Sequence, residues 1–330
     1  MIELDRRRAM ISTAGLAVGG LATARLLPEE MLLRDRRPAR SQVAILSAAA
    51  YSDGLADSLA RALRMFGLNL RDKSVLLKPN LVEYIVGVEV NTNPILVSAA
   101  AEAFRNLGAR RVVVAEGPGH QRDTYLVLAE SGLEAQLRRQ KLAFVDLNRD
   151  ELIKVATRAN YTGLDHLWLP RTVLTSDFVV SMPKIKTHHW AGLTLSMKNM
   201  FGIVPGSKYS WPKNVLHWKG IHRSILDICA TAPIHFVIAD GVIAMEGNGP
   251  LHGTHRHLGK IVLANDPVAA DFVCARLMGL NPKFVWHLDR ASHFLGNGSP
   301  GRIDLIAERL PGQVAPFDVL PAFAGLQMRL

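Results

Sequence analysis

Lys184, Lys186, His188, His189, Lys198 and Asn199 fall within sixteen residues, with Gly192, Gly202 and Gly206 among or just after them. Ammonium groups at that density neutralise an anion, each as a point charge. Imidazole exchanges protons near neutral pH, which makes His188 the first candidate for general acid or base. Lys198 suits either of two tasks, anchoring a cofactor or stabilising negative charge as it develops. Six of the chain's twelve lysines (184, 186, 198, 208, 213 and 219) crowd into about a tenth of its length, beside His188, His189, His217 and His222. A solvated basic face would use the same residue types, but this concentration among glycines favours an anionic pocket.

The elements must bring these groups to one edge. Residues 177–182 read as a buried strand that Pro183 stops by removing a backbone donor, and 184–206 read as loop. Residues 43–46, 74–77, 111–115, 236–239 and 260–264 are further apolar runs of strand length. Three of them end in polar groups: Lys78-Pro79-Asn80, the glycine turn from Glu116 to His120, and Asp240-Gly241 with a loop on to Glu246 and Asn248. Helical spacing of Leu55, Leu59, Leu63 and Phe66 follows Asp53. Pro94 begins a helix that Gly108 ends, another helix begins near Asp123 and another lies near Ile221–Thr231, and Asp266-Pro267 caps one that runs to Met278. The alternation predicts an α/β fold, a doubly wound, mostly parallel sheet with helices on both faces, in which ligands sit outside the carboxyl ends of strands.

At that edge Lys78, Lys184 and Lys186 are expected to neutralise the ligand, Asn80 and Asn199 to bind it, and Asp240, Glu246 and Asn248 to orient it or hold a metal. His120 reads equally as a base or ligand and as a turn histidine. His252, His255 and His257 read as an exposed loop in preference to a metal site. Residues 143–176 give short strands and a connecting helix, and the chain from about Pro300 reads as peripheral.

With 330 residues and 48% apolar composition, residues 42–330 can bury one α/β domain with its core at about 75–279. The net charge of +10 favours anionic partners. Scattered arginines and only 6% aromatic residues exclude a nucleic-acid surface, leaving a small carboxylate or phosphate. Cys229 and Cys274 alone provide no disulfide framework, no thiolate zinc site and no resident iron–sulfur cluster. Residues 1–27 read as a targeting segment, with Arg7-Arg8 before the apolar run 10–27 and Ala22-Thr23-Ala24 as a cleavage candidate. The segment resembles a twin-arginine export signal, so the expected partner is that export machinery and the expected location periplasmic or otherwise exported. An uncleaved segment would tether the protein to the membrane; after its removal no stable membrane span is expected. Residues 28–41 read as a polar linker.

The motifs LLKPNLV (76–82), AEGPG (115–119), MPKIKTH (182–188), LTLSMKNMFGIVPG (193–206), DGVIAMEGNGPLHG (240–253) and ANDPVAADFV (264–273) resemble the family called domain of unknown function 362. The order of the Gly-His turn at 119–120, the 184–192 stretch, Lys198, Pro205-Gly206 and His217 is also similar to the amino-terminal lobe of the nickel-pincer lactate racemases. That second resemblance implies Lys198 as the anchor of a Lys-linked cofactor, His120 and His188 as an acid–base pair and His217 as a metal ligand. Ser196-Met197 stand where that pattern has glycines. Two functions follow as expectations: an exported enzyme doing redox or isomerase chemistry on a small anionic metabolite, or a periplasmic anion-binding or redox-accessory protein without catalysis.

Overall fold

Runs of β-branched and aliphatic residues build a sheet buried on both faces. The computed structural model describes residues 35–119 and 123–328; residues 1–34, which hold the targeting segment and part of the linker, and His120 lie outside the described residues. The strands are β1 (Ser41–Ser47), β2 (Ser74–Pro79), β3 (Arg111–Glu116), β4 (Ala143–Asp146), β5 (Leu152–Ala156), β6 (His166–Pro170), β7 (Phe178–Met182), β8 (Lys184–His188), β9 (Gly192–Thr194), β10 (Phe236–Asn248), β11 (His252–Ala264) and β12 (Ile303–Leu305). Ten of them form one sheet in the order β12-β1-β11-β10-β7-β2-β3-β4, with β8 beside β10 and β9 beside β8; β5 and β6 pair separately. The central strands β10, β7, β2, β3 and β4 are parallel, whereas β11 is antiparallel to both β1 and β10.

Successive side chains of a strand point to opposite faces, so continuous apolar runs require cover on both. Val75 and Leu77, Val112 and Val114, and Val180 and Met182 join one core with α1 (Leu55–Met65) and α2 (Pro94–Asn106). Leu76, Val113 and Val179 are equally buried but outside that core. The helices α3 (Ile221–Thr231) and α4 (Pro267–Leu277) likewise bury residues outside it, and α4 packs against β1, β10 and β11. This is the doubly wound, mostly parallel architecture that the alternation predicts. Helix starts follow their caps: Asn93 accepts from Ile95 N at 2.9 Å, Asp123 from Tyr125 N at 2.7 Å, and Asp266 from Val268 N at 2.8 Å.

Four local expectations change. Residues 184–194 are not loop but the antiparallel pair β8–β9, because past Pro183 the chain resumes a parallel ladder with β10, Lys184 opposite Asp240. Residues 240–248 and 252–257 are not loops either, but the two arms of the β10–β11 hairpin, which turns through residues 249–251. The carboxyl-terminal region is not peripheral: β12 extends the sheet beside β1, and Phe317 is fully buried. The linker arginines are fastened to the fold, Arg36 Nη1 donating to Ala230 O at 2.7 Å and Arg40 forking onto Asp304. Among the described residues no helix is long and apolar enough to cross a membrane.

Candidate functional site

Five lysines gather near the carboxyl ends of β2, β3 and β7, and an ammonium has three N–H donors to place. Lys78, at the end of β2, emerges beside Glu116 at the end of β3, because Leu77 pairs with Val114 in the adjacent parallel strands. Its Nζ pairs with Glu116 and also donates to Pro79 O at 3.0 Å and Asn199 Oδ1 at 3.2 Å. A Cβ at Gly202 would overlap both Glu116 Oε1 and Lys78 Nζ, so that position needs glycine for the close approach. Lys184 Nζ is equally saturated, by Asp240 at 3.0 Å, Tyr51 Oη at 3.1 Å and Glu89 at 3.2 Å. Lys213 donates to three carbonyls, those of Gly117, Phe201 and Gly202, at 2.8, 3.1 and 3.2 Å.

The other two are different. Lys186 is fully buried, donates to Val90 O at 2.8 Å and Pro250 O at 3.4 Å, and has one N–H left. Lys198 has no hydrogen-bond acceptor among the described residues; its ammonium lies over the Phe201 ring at 4.4 Å. Desolvation, then the charges of Lys184 and Lys198, holds the Lys186 ammonium well below its ordinary pKa. Desolvation and the Lys78 charge bring Lys198 down to about 8, against the opposing pull of Glu116. Desolvation brings Lys213 to about 7.

Lys186 and Lys198 line one pocket of about 210 Å³ together with Asn80, Glu116, Thr194, Asn199 and Lys213. The lining also includes His188, His189, His217 and the half-exposed Trp190. Backbone groups set the tautomers of the three histidines. His188 Nδ1 accepts from Trp190 N at 3.0 Å and Ala191 N at 3.2 Å, so the neutral ring carries its proton on Nε2. Desolvation, then the Lys198 charge, pushes its pKa well below the ordinary value, and His188 is therefore a fixed hydrogen-bond donor. His189 Nδ1 and His217 Nδ1 instead face carbonyls, of Gly249 at 2.9 Å and Lys213 at 3.0 Å, which leaves Nε2 as the lone-pair nitrogen in each. Desolvation, then Lys198, lowers His217 to about 4. Two buried oxygens in the lining have no partner among the described residues, Asn80 Oδ1 and Thr194 Oγ1.

Lys198 and Asn199 ride on the short helix Ser196–Asn199, which has no side-chain cap of its own. The cap comes from α4: Asp271 accepts from Ser196 N at 2.7 Å, Ser196 Oγ at 2.6 Å and Met197 N at 3.0 Å. Burial raises this carboxyl to about 7 despite those three donors. Asn199 ties the strand ends together, accepting from Lys78 and Asn80 and donating to Lys78 O and Ser181 Oγ.

The expected site residues thus divide. Asn80, Lys186, His188, Lys198, Asn199 and His217 meet in the pocket. Lys78 and Lys184 are not among the lining residues, and their charges are matched by Glu116 and Asp240. Asp240 accepts from Lys184, Tyr51 and Asn93, while Glu246 pairs with Arg256 at 2.7 Å, and neither lines the pocket. Asn248 lies at the exposed end of β10, also outside the lining. His120 lies outside the described residues. The sequence names His189 and Lys213 in the basic cluster without a role of their own, and gives none to Glu116, Thr194 or the cap from Asp271; an acid inside the apolar run of α4 is a readable sign of the last. Among the described residues no three His, Cys, Asp or Glu side chains converge as metal ligands. His217 offers one ring nitrogen and buried Met197 precedes Lys198, so the donor set among the described residues does not assemble a metal site.

A family model described as a domain of unknown function, DUF362, matches residues 75–276. A thylakoid-associated protein of Synechocystis sp. is 30% identical over 214 residues, covering 63% of this chain and 64% of the relative, so the chain spans less than two thirds of that protein's length. Two solved structures are similar. The lactate racemase apoprotein from Thermoanaerobacterium thermosaccharolyticum has a TM-score of 0.42 at 13% identity, over 70% of this chain and 55% of its own. A structural-genomics target from Thermotoga maritima has a TM-score of 0.36 at 11% identity, over 63% of this chain and 55% of its own.

Proposed function

The chain belongs to the DUF362 family, and we propose that it binds a small anionic metabolite in the Lys186/Lys198 pocket and moves protons on it, as an exported enzyme of isomerase or redox type. The observation that carries this reading is the donor count: three lysines around the edge are saturated, whereas Lys198 retains three N–H groups and Lys186 one. A desolvated cation without a counter-ion is costly, and an anionic ligand supplies the missing partner. His188 Nε2–H and Thr194 Oγ–H add donors to a carboxylate, Asn80 Oδ1 accepts from a hydroxyl, and His189 and His217 are the proton acceptors. Export through the twin-arginine machinery, using Arg7-Arg8, belongs to the same proposal.

Isothermal titration calorimetry with oxalate, L-lactate and inorganic phosphate tests the binding. Wild type is expected to bind at least one carboxylate, and Lys198→Met to weaken it by about 10- to 100-fold, the worth of one charge-assisted hydrogen bond. Equal affinity in Lys198→Met would rule the pocket out. A second reading, binding without catalysis, is favoured by His188 being fixed as a donor. NMR-detected deuterium exchange at C2 of bound lactate separates the two: exchange lost in His189→Gln or His217→Gln supports catalysis, and no exchange in wild type supports binding alone.

A further inference from the structure

A simple anion site needs charge at Lys198, yet this amine is held for something more specific. Its three N–H positions meet no acceptor among the described residues, an aromatic ring lies against it at 4.4 Å, and the helix bearing it is pinned from α4 by Asp271. Nearby, Lys78 and Lys184 each have a carboxylate partner and Lys213 has three carbonyls, whereas Lys198 has neither among the described residues. Building on the anion-pocket reading, we propose that Lys198 is a nucleophilic amine that condenses with the ketone or aldehyde carbonyl of a small 2-oxo carboxylate to form a Schiff base.

The chemistry balances without an oxidant. The nitrogen lone pair forms the N–C bond while the carbonyl π pair moves to oxygen; the nitrogen gives up a proton and the oxygen takes one, yielding a carbinolamine. The C–O bond then breaks, the oxygen leaves as water with a second proton, and the nitrogen lone pair closes the C=N bond. Lone-pair Nε2 atoms of His189 and His217 carry the protons, and Asn80 Oδ1 is the buried acceptor for the carbinolamine hydroxyl. The carboxylate sits against Lys186 and His188 Nε2–H. Attack requires the neutral amine, and a lysine brought to about 8 has, at neutral pH, a neutral fraction on the order of 100-fold above that of an ordinary lysine.

Reductive trapping tests this. The full chain is incubated with pyruvate or glyoxylate and sodium borohydride, whose hydride adds to the imine carbon and makes the bond permanent; intact mass and peptide mapping then locate it. Calorimetry with oxalate, which has no ketone or aldehyde carbonyl, runs in parallel. One adduct per chain at Lys198, absent in Lys198→Arg and retained in Lys208→Arg, is the expected result. Oxalate binding without an adduct, or with adducts spread over surface lysines such as Lys208, overturns the Schiff base and leaves the anion pocket standing. No oxalate binding and no adduct overturns both.

Discussion

Lys184 and Lys186 are two residues apart on one strand, both fully buried, and their surroundings are opposite. Lys184 sits in a closed network in which Asp240 neutralises it and Tyr51 and Glu89 complete its three acceptors. Lys186 faces the pocket, rests on two backbone carbonyls and has no carboxylate partner among the described residues. Residue type does not separate the two; the count of acceptors around each ammonium does.

The largest effect should come from opening the closed network. Asp240→Ala leaves Lys184 with Glu89 as its only carboxylate, and is expected to lower stability by about 3–5 kcal/mol in urea denaturation. A loss below about 1 kcal/mol would erase the distinction between the two regions. Lys198→Met should act the other way, leaving stability unchanged or raised while anion affinity falls.

A pH series sharpens the contrast. Between about 8 and 10.5 Lys198 is neutral in the native protein and charged in the unfolded chain, so the unfolded state binds more protons and stability rises with pH across that window. Lys213 adds the same trend from about 7 upward. Oxalate affinity should fall over the same window, because the anion needs the ammonium. Thermal melts of ligand-free wild type and Lys198→Met check this, the variant showing the smaller rise. The smallest effect belongs to Asp271→Asn, which weakens the cap of the Lys198 helix by about 1 kcal/mol and should reduce oxalate affinity less than Lys198→Met does.

The sheet was legible because its central strands are uninterrupted apolar runs and its helices carry Asn93, Asp123 and Asp266 caps. Half of the site was legible too, from the density of Lys186, His188, Lys198 and Asn199 among glycines, although the strand that carries Lys186 and His188 read as loop. What the sequence could not show was pairing. That Asp240 meets Lys184, or that Glu116 meets Lys78, depends on strand order and register across 56 and 38 residues. The tautomers of His188, His189 and His217 depend on backbone groups that only the folded chain brings near. Polar residues in 240–257 suggested loops, whereas cross-strand pairing with β11 made them a hairpin.

The most direct measurement compares Lys184→Met with Lys186→Met, side by side, by urea denaturation with and without oxalate. The account predicts that Lys184→Met loses about 3–5 kcal/mol yet is still stabilised by oxalate, while Lys186→Met stays within about 1 kcal/mol of wild type and loses most of the oxalate response. The reverse pattern, with Lys186→Met destabilised and Lys184→Met blind to oxalate, would contradict it.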